Sequence, residues 1–318
     1  MLKVSEDQTL RRPVIYESLL DLVGNTPLVR LNRLCHDLNF PVLAKLEMFN
    51  PMSSVKDRVA REMIDTAERQ GLLVPGKSTV VEATSGNTGI GLAMVAKIRG
   101  YHCVIIMPDH VSVERRELMG ALGAEVILTR AEDGFQATID TAEGVLRQRP
   151  NAWMARQFEN PANPGAHYQT TGQEILRDTA GQVDVLVCGL GTGGTLSGTG
   201  RALKDFNPDI QVIAVEPENC ALLSGGDPGR HKLQGLNAGF IADTTDRSII
   251  DDVITVSDEA AFEACRQAVA REGLFVGPSA GAALCGALEY ANRAENSNRQ
   301  IVTVLPDSGE RYLSTPYW

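Results

Sequence analysis

The residue with the clearest chemical potential is Lys56, which lies near the predicted start of a helix. A strand-like run at residues 41–47 precedes it, and apolar residues spaced as on one helix face follow it. Ser54 and Asp57 form a capping-box variant, which predicts that the helix begins at Ser53 or Ser54. The positive end of the helix dipole disfavours an ammonium group there and favours the neutral amine, which is the form that attacks a carbonyl. An isolated lysine is more often a surface residue, so this interpretation depends on the groups that accompany it.

Two glycine-rich loops each follow a predicted strand and precede a predicted helix. The first is Thr-Ser-Gly-Asn-Thr-Gly at residues 84–89, and the second is Gly-Thr-Gly-Gly-Thr at residues 191–195. In open α/β sheets this junction binds anions, because backbone N–H groups and a helix N-terminus face the ligand. The second loop, with adjacent glycines and no basic residue, suits one phosphate monoester, whereas the neutral donors of the first loop suit a carboxylate.

A phosphate loop, a carboxylate loop and an amine nucleophile together describe pyridoxal phosphate bound to an amino acid. One rival interpretation stays open, because residues 189–194 match Gly-x-Gly-x-x-Gly and Glu216 follows about twenty residues later. That pattern is typical of a nicotinamide-dependent oxidoreductase. A hydride-transfer enzyme would not need the lysine and the carboxylate loop, which favours the pyridoxal phosphate hypothesis. A Walker A loop is excluded, because no Gly-Lys-Ser/Thr follows.

The composition limits the class of partner and the cellular compartment. With 318 residues, 43% of them hydrophobic, the chain can bury a full core and is long enough for two lobes. The net charge of −10 argues against nucleic acid or an anionic membrane as a general partner. The six cysteines form no Cys-x-x-Cys pair, and we see neither a signal-peptide pattern nor a membrane-spanning apolar run. We therefore expect a cytoplasmic protein.

Apolar strand-like runs alternate with helical patterns along most of the chain. Because strands buried on both faces are continuously apolar, this alternation predicts parallel sheet covered by helices. The predicted strands lie at residues 79–82, 103–107, 125–128, 183–188, 212–215 and 301–305, with a broken strand at 22–29. The predicted helices include residues 89–98, 135–146 and 258–271. The Pro- and Asn-rich stretch at 160–164 is the best candidate for a lobe boundary.

Five motifs, in order and with fitting spacing over roughly residues 15–316, carry a resemblance to a known family. The chain resembles the fold-type II pyridoxal-phosphate enzymes of the cysteine synthase (O-acetylserine sulfhydrylase) and cystathionine β-synthase family. The motif at 305–314 favours cysteine synthases over threonine dehydratases. The motifs are Asn-Pro-x-x-Ser-Val-Lys-Asp-Arg at 50–58, the loops at 84–89 and 191–195, Gly-Pro-Ser-Ala-Gly-Ala at 277–282, and Leu-Pro-Asp-Ser-Gly-Glu-Arg-Tyr-Leu-Ser at 305–314.

The resemblance implies an α/β fold of two lobes, each with a mostly parallel sheet covered by helices. A smaller, mobile lobe at residues 51–160 would carry the substrate-carboxylate loop, and a larger lobe at 1–50 and 161–318 would hold the cofactor phosphate. Lys56 would bond pyridoxal 5'-phosphate and later remove the α-proton, and no metal is implied. The other implied cofactor-binding residues are Asn87, Gly191, Thr192, Gly193, Gly194, Thr195 and Ser279. The implied substrate-binding residues are Thr84, Ser85, Gly86, Thr88, Gln157, Gly235 and Asn237.

The identity of Ser279 bears on the reaction. In the family, this residue faces the pyridine nitrogen, and a neutral hydroxyl holds a proton there less well than a carboxylate. Expulsion of a β-substituent, giving aminoacrylate, is then favoured over transamination. The resemblance implies conversion of O-acetyl-L-serine and sulfide to L-cysteine and acetate. Cystathionine synthesis from serine and homocysteine, diaminopropionate or cyanoalanine synthesis, and cysteine desulfhydration remain alternatives. Without the family, Ser279 could equally be the N-cap of a helix at 280–290, and Gln157 a polar residue at a strand end.

Departures from the family pattern concern the donor and the nucleophile. Family sulfhydrylases usually read Gln-Gly-Ile-Gly-Ala-Gly-Phe, where residues 234–240 read Gln-Gly-Leu-Asn-Ala-Gly-Phe, and Pro278 is also unusual. Asparagine tolerates positive φ better than most residues, so Asn237 could keep the backbone and add an amide near the β-substituent. The alternative is that Asn237 points to solvent. The resemblance also suggests a homodimer and, as a further partner, the C-terminal peptide of serine acetyltransferase.

Overall fold

The computed structural model describes residues 15–38, 41–84, 86–296 and 298–315, and within these ranges the strands form two sheets. The larger sheet has the order β1-β2-β10-β7-β8-β9, and the smaller has the order β5-β4-β3-β6. Every neighbouring pair is parallel except β1 with β2. The strands are β1 (Leu28–Arg30), β2 (Leu43–Leu46), β3 (Thr79–Ala83), β4 (His102–Pro108), β5 (Glu125–Thr129), β6 (Ala152–Met154), β7 (Val185–Gly189), β8 (Gln211–Pro217), β9 (Asp252–Val256) and β10 (Ile301–Leu305).

Helices cover the sheets, and this explains the continuous apolar character of the central strands. Every residue of β10 is buried, for example. The helices are α1 (Lys56–Arg69), α2 (Asn87–Arg99), α3 (Val113–Ala121), α4 (Gly134–Gln148), α5 (Ala162–Ala166), α6 (Gly172–Asp178), α7 (Gly194–Phe206), α8 (Asp258–Gln267) and α9 (Pro278–Ala291). The predicted α/β class is confirmed. The lobe boundaries and the mobility of residues 51–160 stay a prediction. Among the described residues, no helix is both long enough and apolar enough to cross a membrane.

Several local predictions need correction. The run at 22–29 is not one broken strand, because a 3-10 helix (Leu19–Leu22) precedes a turn, and β1 begins only at Leu28. The positive φ angles of Gly24 and Asn25, 94° and 48°, end the extended backbone there. The predicted helix at 258–271 is α8 followed by a π-helical turn (Ala268–Glu272). The sequence analysis does not include β6 and β9, because β6 has only three residues and polar residues interrupt β9.

The start of α1 also differs from the prediction, because the helix begins at Lys56 with Val55 as its N-cap. The Val55 N–H donates to the Pro306 carbonyl (2.8 Å), so the preceding backbone pairs with the segment that follows β10. The Asp57 carboxylate accepts from the Met52 N–H (2.6 Å) and does not complete the predicted capping box. Tertiary pairing has therefore shortened the helix and placed Lys56 at its first residue.

A buried ionic cluster fixes α1 to the larger sheet. The Arg58 guanidinium contacts Glu47 through Nε (2.7 Å) and Glu174 through Nη1 (2.6 Å), and the Lys45 ammonium contacts Glu174 (2.8 Å). Their side chains are at most 7% exposed. Burial acts to raise the pKa of Glu174, but the hydrogen bonds and charges of Arg58 and Lys45 outweigh it and hold the pKa at about 2. The cluster joins the Lys56 helix to β2 and α6.

We expect Arg58→Met to lower the free energy of unfolding by about 3–5 kcal/mol, because it leaves two buried carboxylates without their main partner. The measurement is urea unfolding of the purified protein. Arg61→Met, which removes a half-exposed guanidinium from the same helix, is the control and should change stability by less than about 1 kcal/mol. Equal losses in the two variants would contradict a structural role for the cluster.

Candidate active site

Lys56 is held in a state suited to nucleophilic attack. Burial lowers the pKa of the Lys56 ammonium, and the neighbouring Cys188, Asp307 and Glu47 act in the opposite direction without cancelling it. The residue is half-buried, and its Nζ has no hydrogen-bond partner among the residues that the structure describes. Its place at the first residue of α1 adds the helix dipole to the same effect. A larger share of neutral amine follows.

The second glycine-rich loop forms a concave surface at the N-terminus of α7. Gly193 is the N-cap with φ at 79°, in the region that favours glycine. A Cβ atom there would lie 2.1 Å from Thr245 Oγ1, and one on Gly194 would lie 2.0 Å from Asn163 Oδ1. Both of these polar atoms are buried without a partner among the described residues. Close packing therefore requires glycine at both positions, and the N–H groups of the helix N-terminus and the unpartnered Thr245 hydroxyl are donors that suit a small anion.

The loop also contains Thr195, which contacts a histidine that the sequence analysis did not single out. Thr195 Oγ1 lies 3.2 Å from His167 Nε2, and His167 Nδ1 lies 2.9 Å from Thr171 Oγ1. Burial, together with the charges of Arg58 and Lys56, lowers the pKa of His167 well below its ordinary value. A neutral imidazole therefore contacts the second glycine-rich loop. A lone histidine in a helical segment gave no sequence signal for this role.

The first glycine-rich loop meets Gln157 at the N-terminus of α2. The Thr88 hydroxyl donates to Gln157 Oε1 (2.6 Å), and the Gly86 N–H donates to Thr84 Oγ1 (3.2 Å). Ser85, the other predicted carboxylate contact, lies outside the described residues. Gln157 is buried, and its contact with Thr88 places it beside the loop. The free N–H groups of the helix start are suited to a carboxylate.

Two further buried side chains, those of Glu82 and Asn163, hold the backbone at Gln157 in place. The Glu82 carboxylate accepts from the backbone N–H groups of Arg156 (2.7 Å) and Gln157 (3.1 Å), and burial raises the pKa of Glu82 to about 7. Asn163 Nδ2 donates to the Gln157 carbonyl (2.8 Å) and to Thr192 Oγ1 (2.9 Å). Asn163 thereby connects the second glycine-rich loop to Gln157, which in turn accepts from Thr88 of the first loop. The sequence indicates no site role for Asn163, which lies in the candidate lobe boundary at 160–164.

Asn87 is engaged by the C-terminal segment. Its Nδ2 donates to Asp307 Oδ2 (2.6 Å), and its Oδ1 accepts from Arg311 Nη1 (2.7 Å). Asp307 Oδ2 also accepts from the Tyr312 hydroxyl (2.6 Å), while Asp307 Oδ1 is buried without a partner among the described residues. Asn87 is thus held in place by side chains of the motif at 305–314. Asp307 belonged to a quoted motif, but we had assigned it no role.

The third wall of the site contains Ser279 and Gly235. Ser279 is the second residue of α9, and Gly277 is the N-cap, so the N-cap interpretation of Ser279 is wrong. Its hydroxyl forms no hydrogen bond within the described part of the chain. Gly235 lies beside it, since a Cβ on Gly235 would be 3.4 Å from Ser279 Oγ. Gly191 adjoins the same place, because a Cβ on it would be 2.3 Å from the Gly235 carbonyl oxygen.

Asn237 follows two residues later and is buried, so it does not point to solvent. Its φ is 26°, as expected for an asparagine that replaces glycine. Its Nδ2 donates to the Cys220 carbonyl (2.7 Å), and its Oδ1 is buried without a partner among the described residues. The amide is thus anchored by one end and keeps an unused acceptor at the other.

Glu216 does not fit the nicotinamide hypothesis. The carboxylate is fully buried and accepts from the N–H groups of Leu223 and Ser224 (2.9 Å each) and from the Ser224 hydroxyl (2.7 Å). A dinucleotide-binding carboxylate must be free to accept from a ribose hydroxyl. Glu216 instead holds the loop that follows β8, so the rival interpretation is set aside.

Comparison with known proteins agrees with this geometry. A family model described as pyridoxal-phosphate dependent enzyme matches residues 19–307. The chain is 48% identical over 307 residues to a probable cysteine synthase of Bacillus subtilis, covering 96% of this chain and 98% of that relative. Among solved structures, an O-ureido-L-serine synthase superposes with a TM-score of 0.92 at 44% identity, covering 96% of this chain and 95% of that chain. O-acetylserine sulfhydrylase isoform 3 of Entamoeba histolytica superposes with a TM-score of 0.91 at 41% identity, covering 96% and 92%.

These likenesses extend over nearly the whole chain. They confirm the resemblance to the cysteine synthase family, the fold-type II architecture and pyridoxal phosphate as the cofactor. With a family model that matches residues 19–307, this protein belongs to the pyridoxal-phosphate dependent enzymes.

Proposed function

We propose that this enzyme replaces the β-acetoxy group of O-acetyl-L-serine with sulfide, forming L-cysteine and acetate. The observation that carries the proposal is an unpartnered Lys56 of lowered pKa together with two glycine-rich loops that Gln157 and Asn163 link. The Bacillus subtilis relative named a probable cysteine synthase supports the choice of reaction. The Entamoeba histolytica structure, named an O-acetylserine sulfhydrylase, supports the choice of donor.

The residues present fit pyridoxal 5'-phosphate. Gly193 and Gly194 stand at the N-terminus of α7, whose N–H groups suit a phosphate, and the buried Thr245 hydroxyl lacks a partner among the described residues. We assign the phosphate to Gly191, Thr192, Gly193, Gly194 and Thr195, the pyridine nitrogen to Ser279 and the ring hydroxyl to Asn87. When bound, the cofactor supplies an electron sink for the substrate's α-carbon.

Lys56 then has two tasks in sequence. Its neutral Nζ would hold the cofactor covalently, which the lowered pKa favours. The same Nζ, when free, would take the substrate's α-proton as a general base. A lowered pKa serves both tasks, because each needs the amine without its proton.

The substrate carboxylate is assigned to the first glycine-rich loop. The backbone N–H groups at the start of α2 face the anion, and hydroxyl donors surround it. We assign this contact to Thr84, Ser85, Gly86, Thr88 and Gln157. Binding there fixes the α-carbon between Lys56 and the segment of Gly235 and Asn237, where the β-substituent leaves and the nucleophile enters.

Other features implied by the resemblance stay predictions. We propose that the smaller lobe, residues 51–160, moves toward the larger lobe when the carboxylate binds, because its loop and the phosphate loop belong to different sheets. A homodimer, a cytoplasmic location and an interaction with the C-terminal peptide of serine acetyltransferase are likewise carried over from the family.

We expect Lys56→Ala to fold and to lose at least about 10³-fold in kcat for cysteine formation, because both the covalent link and the base are removed. The measurements are cysteine production and the visible absorption of the purified protein. Lys77→Ala, at an exposed position, is the control and should behave as wild type. Wild-type turnover by Lys56→Ala, with cofactor attached elsewhere, would contradict the assignment.

We expect Gly193→Asp to weaken cofactor binding far more than Gly193→Ala. Any Cβ collides with Thr245, and the aspartate adds a negative charge beside the phosphate. Titration of the apo-protein with pyridoxal phosphate measures the affinity. Gly76→Asp is the control, because Gly76 also has a positive φ but has open space around its Cα. Unchanged cofactor affinity in Gly193→Asp would contradict the assignment of the cofactor phosphate to this loop.

A second candidate is β-replacement with another donor or nucleophile, favoured by Asn237 and by the similarity to an O-ureido-L-serine synthase. The unpartnered Asn237 Oδ1 can accept from a hydroxyl or an N–H group near the β-substituent. We expect Asn237→Gly to change the ratio of kcat/KM for O-acetylserine and serine by more than about twofold. A panel that adds O-phosphoserine and cysteine as donors tests this. Identical rankings in both proteins would favour a plain cysteine synthase.

A further inference from the structure

Arg115 is a buried cation that the proposed mechanism does not use. It lies on α3 and is 3% exposed, and it forms no ion pair with any residue that the structure describes. Its guanidinium carbon stacks 4.6 Å from the centre of the Tyr312 ring. Its Nη1 donates to Gln234 Oε1, whereas its Nε is buried without a partner among the described residues. A buried charge without a counter-ion is unfavourable, so an anion is expected to complete this site.

The Arg115 guanidinium lies against the loop to which the substrate carboxylate is assigned. A Cβ atom built on Gly86 would lie 2.6 Å from Arg115 Nε, so the guanidinium packs directly against the first glycine-rich loop. That loop opens α2, whose N-terminal N–H groups already favour an anion. Gly86 has no side chain to separate the guanidinium from this loop. The nearest described acid along α3, Glu114, feels the charge of Arg115 but accepts its hydrogen bonds from Ser314 and forms no ion pair with Arg115 in the described part of the chain.

We propose that Arg115 provides the counter-charge for the substrate's α-carboxylate and thereby selects free amino acids over their uncharged derivatives. The inference rests on the proposed function, because it assigns the carboxylate to the loop at 84–88. Arg115 also contacts Gln234, the residue before Gly235, so the same side chain joins the carboxylate loop to the segment beside Ser279. Arg115 is therefore a specificity residue that acts through charge.

The test compares the binding of L-serine with that of L-serinamide, which differs in the carboxylate alone. The dissociation constants are measured on the holoenzyme from the change in cofactor absorption on titration. Wild type should prefer serine, and Arg115→Met should reduce that preference by at least about tenfold, as loss of a charge-assisted hydrogen bond predicts. Arg115→Lys should keep most of the preference, because the charge remains. Arg116→Met removes the next guanidinium on α3 and should leave the preference within about twofold of wild type.

A structural role gives a different pattern. If Arg115 only shaped the loop, Arg115→Met would weaken serine and serinamide by the same factor, and the inference would be overturned. The same conclusion would follow if Arg115→Lys lost the preference as completely as Arg115→Met. An unchanged preference in an Arg115→Met enzyme that still forms cysteine would overturn this inference alone. A wild-type holoenzyme that bound neither ligand would overturn the proposed function together with it.

Discussion

The buried ionic cluster around Arg58 is the constraint on which the geometry of the site depends. Two residues before it, Lys56 begins α1, and the direction of that helix determines where the amine points. Arg58 connects Glu47, just after β2, with Glu174 on α6, so α1 is attached to the larger sheet at its first turn. Buried ion pairs add little net stability compared with apolar packing, but an unpaired member is very unfavourable. The cluster therefore specifies one arrangement of α1.

The environment of Lys56 favours the uncharged forms of the Lys56 amine and the His167 imidazole. Burial lowers the pKa of both Lys56 and His167, and the cations near His167 reinforce that effect. The phosphate loop contains no basic side chain, so it would hold its anion by N–H groups and hydroxyls alone. A lysine forming an ion pair with the phosphate would lose its nucleophilicity. The absence of basic residues from the loop keeps the amine available for the substrate.

The segment after β10 holds the two sheets together beside the site. Asp307 and Arg311 both engage Asn87 at the start of α2, and the Ser112 hydroxyl donates to the Arg311 carbonyl (3.0 Å). The backbone before α1 pairs with the same segment through a bridge between Ser54 and Asp307. The helices that carry the lysine and the carboxylate loop are thus both bonded to the one segment that follows β10. A movement of the smaller lobe would have to change these contacts.

The sequence by itself determined the fold class and the cofactor, and it predicted two anion-binding loops. Those features depend on local patterns, namely apolar strands, glycines at strand-to-helix junctions and Lys56 at a helix start, which the chain displays in order. Tertiary structure alone decided the rest, because the remaining contacts join residues far apart in sequence. Asn163 became part of the link between the loops, Arg115 came to lie under Gly86, and Glu216 was used to hold a neighbouring loop. A side chain's partner across the fold leaves no trace in its local sequence.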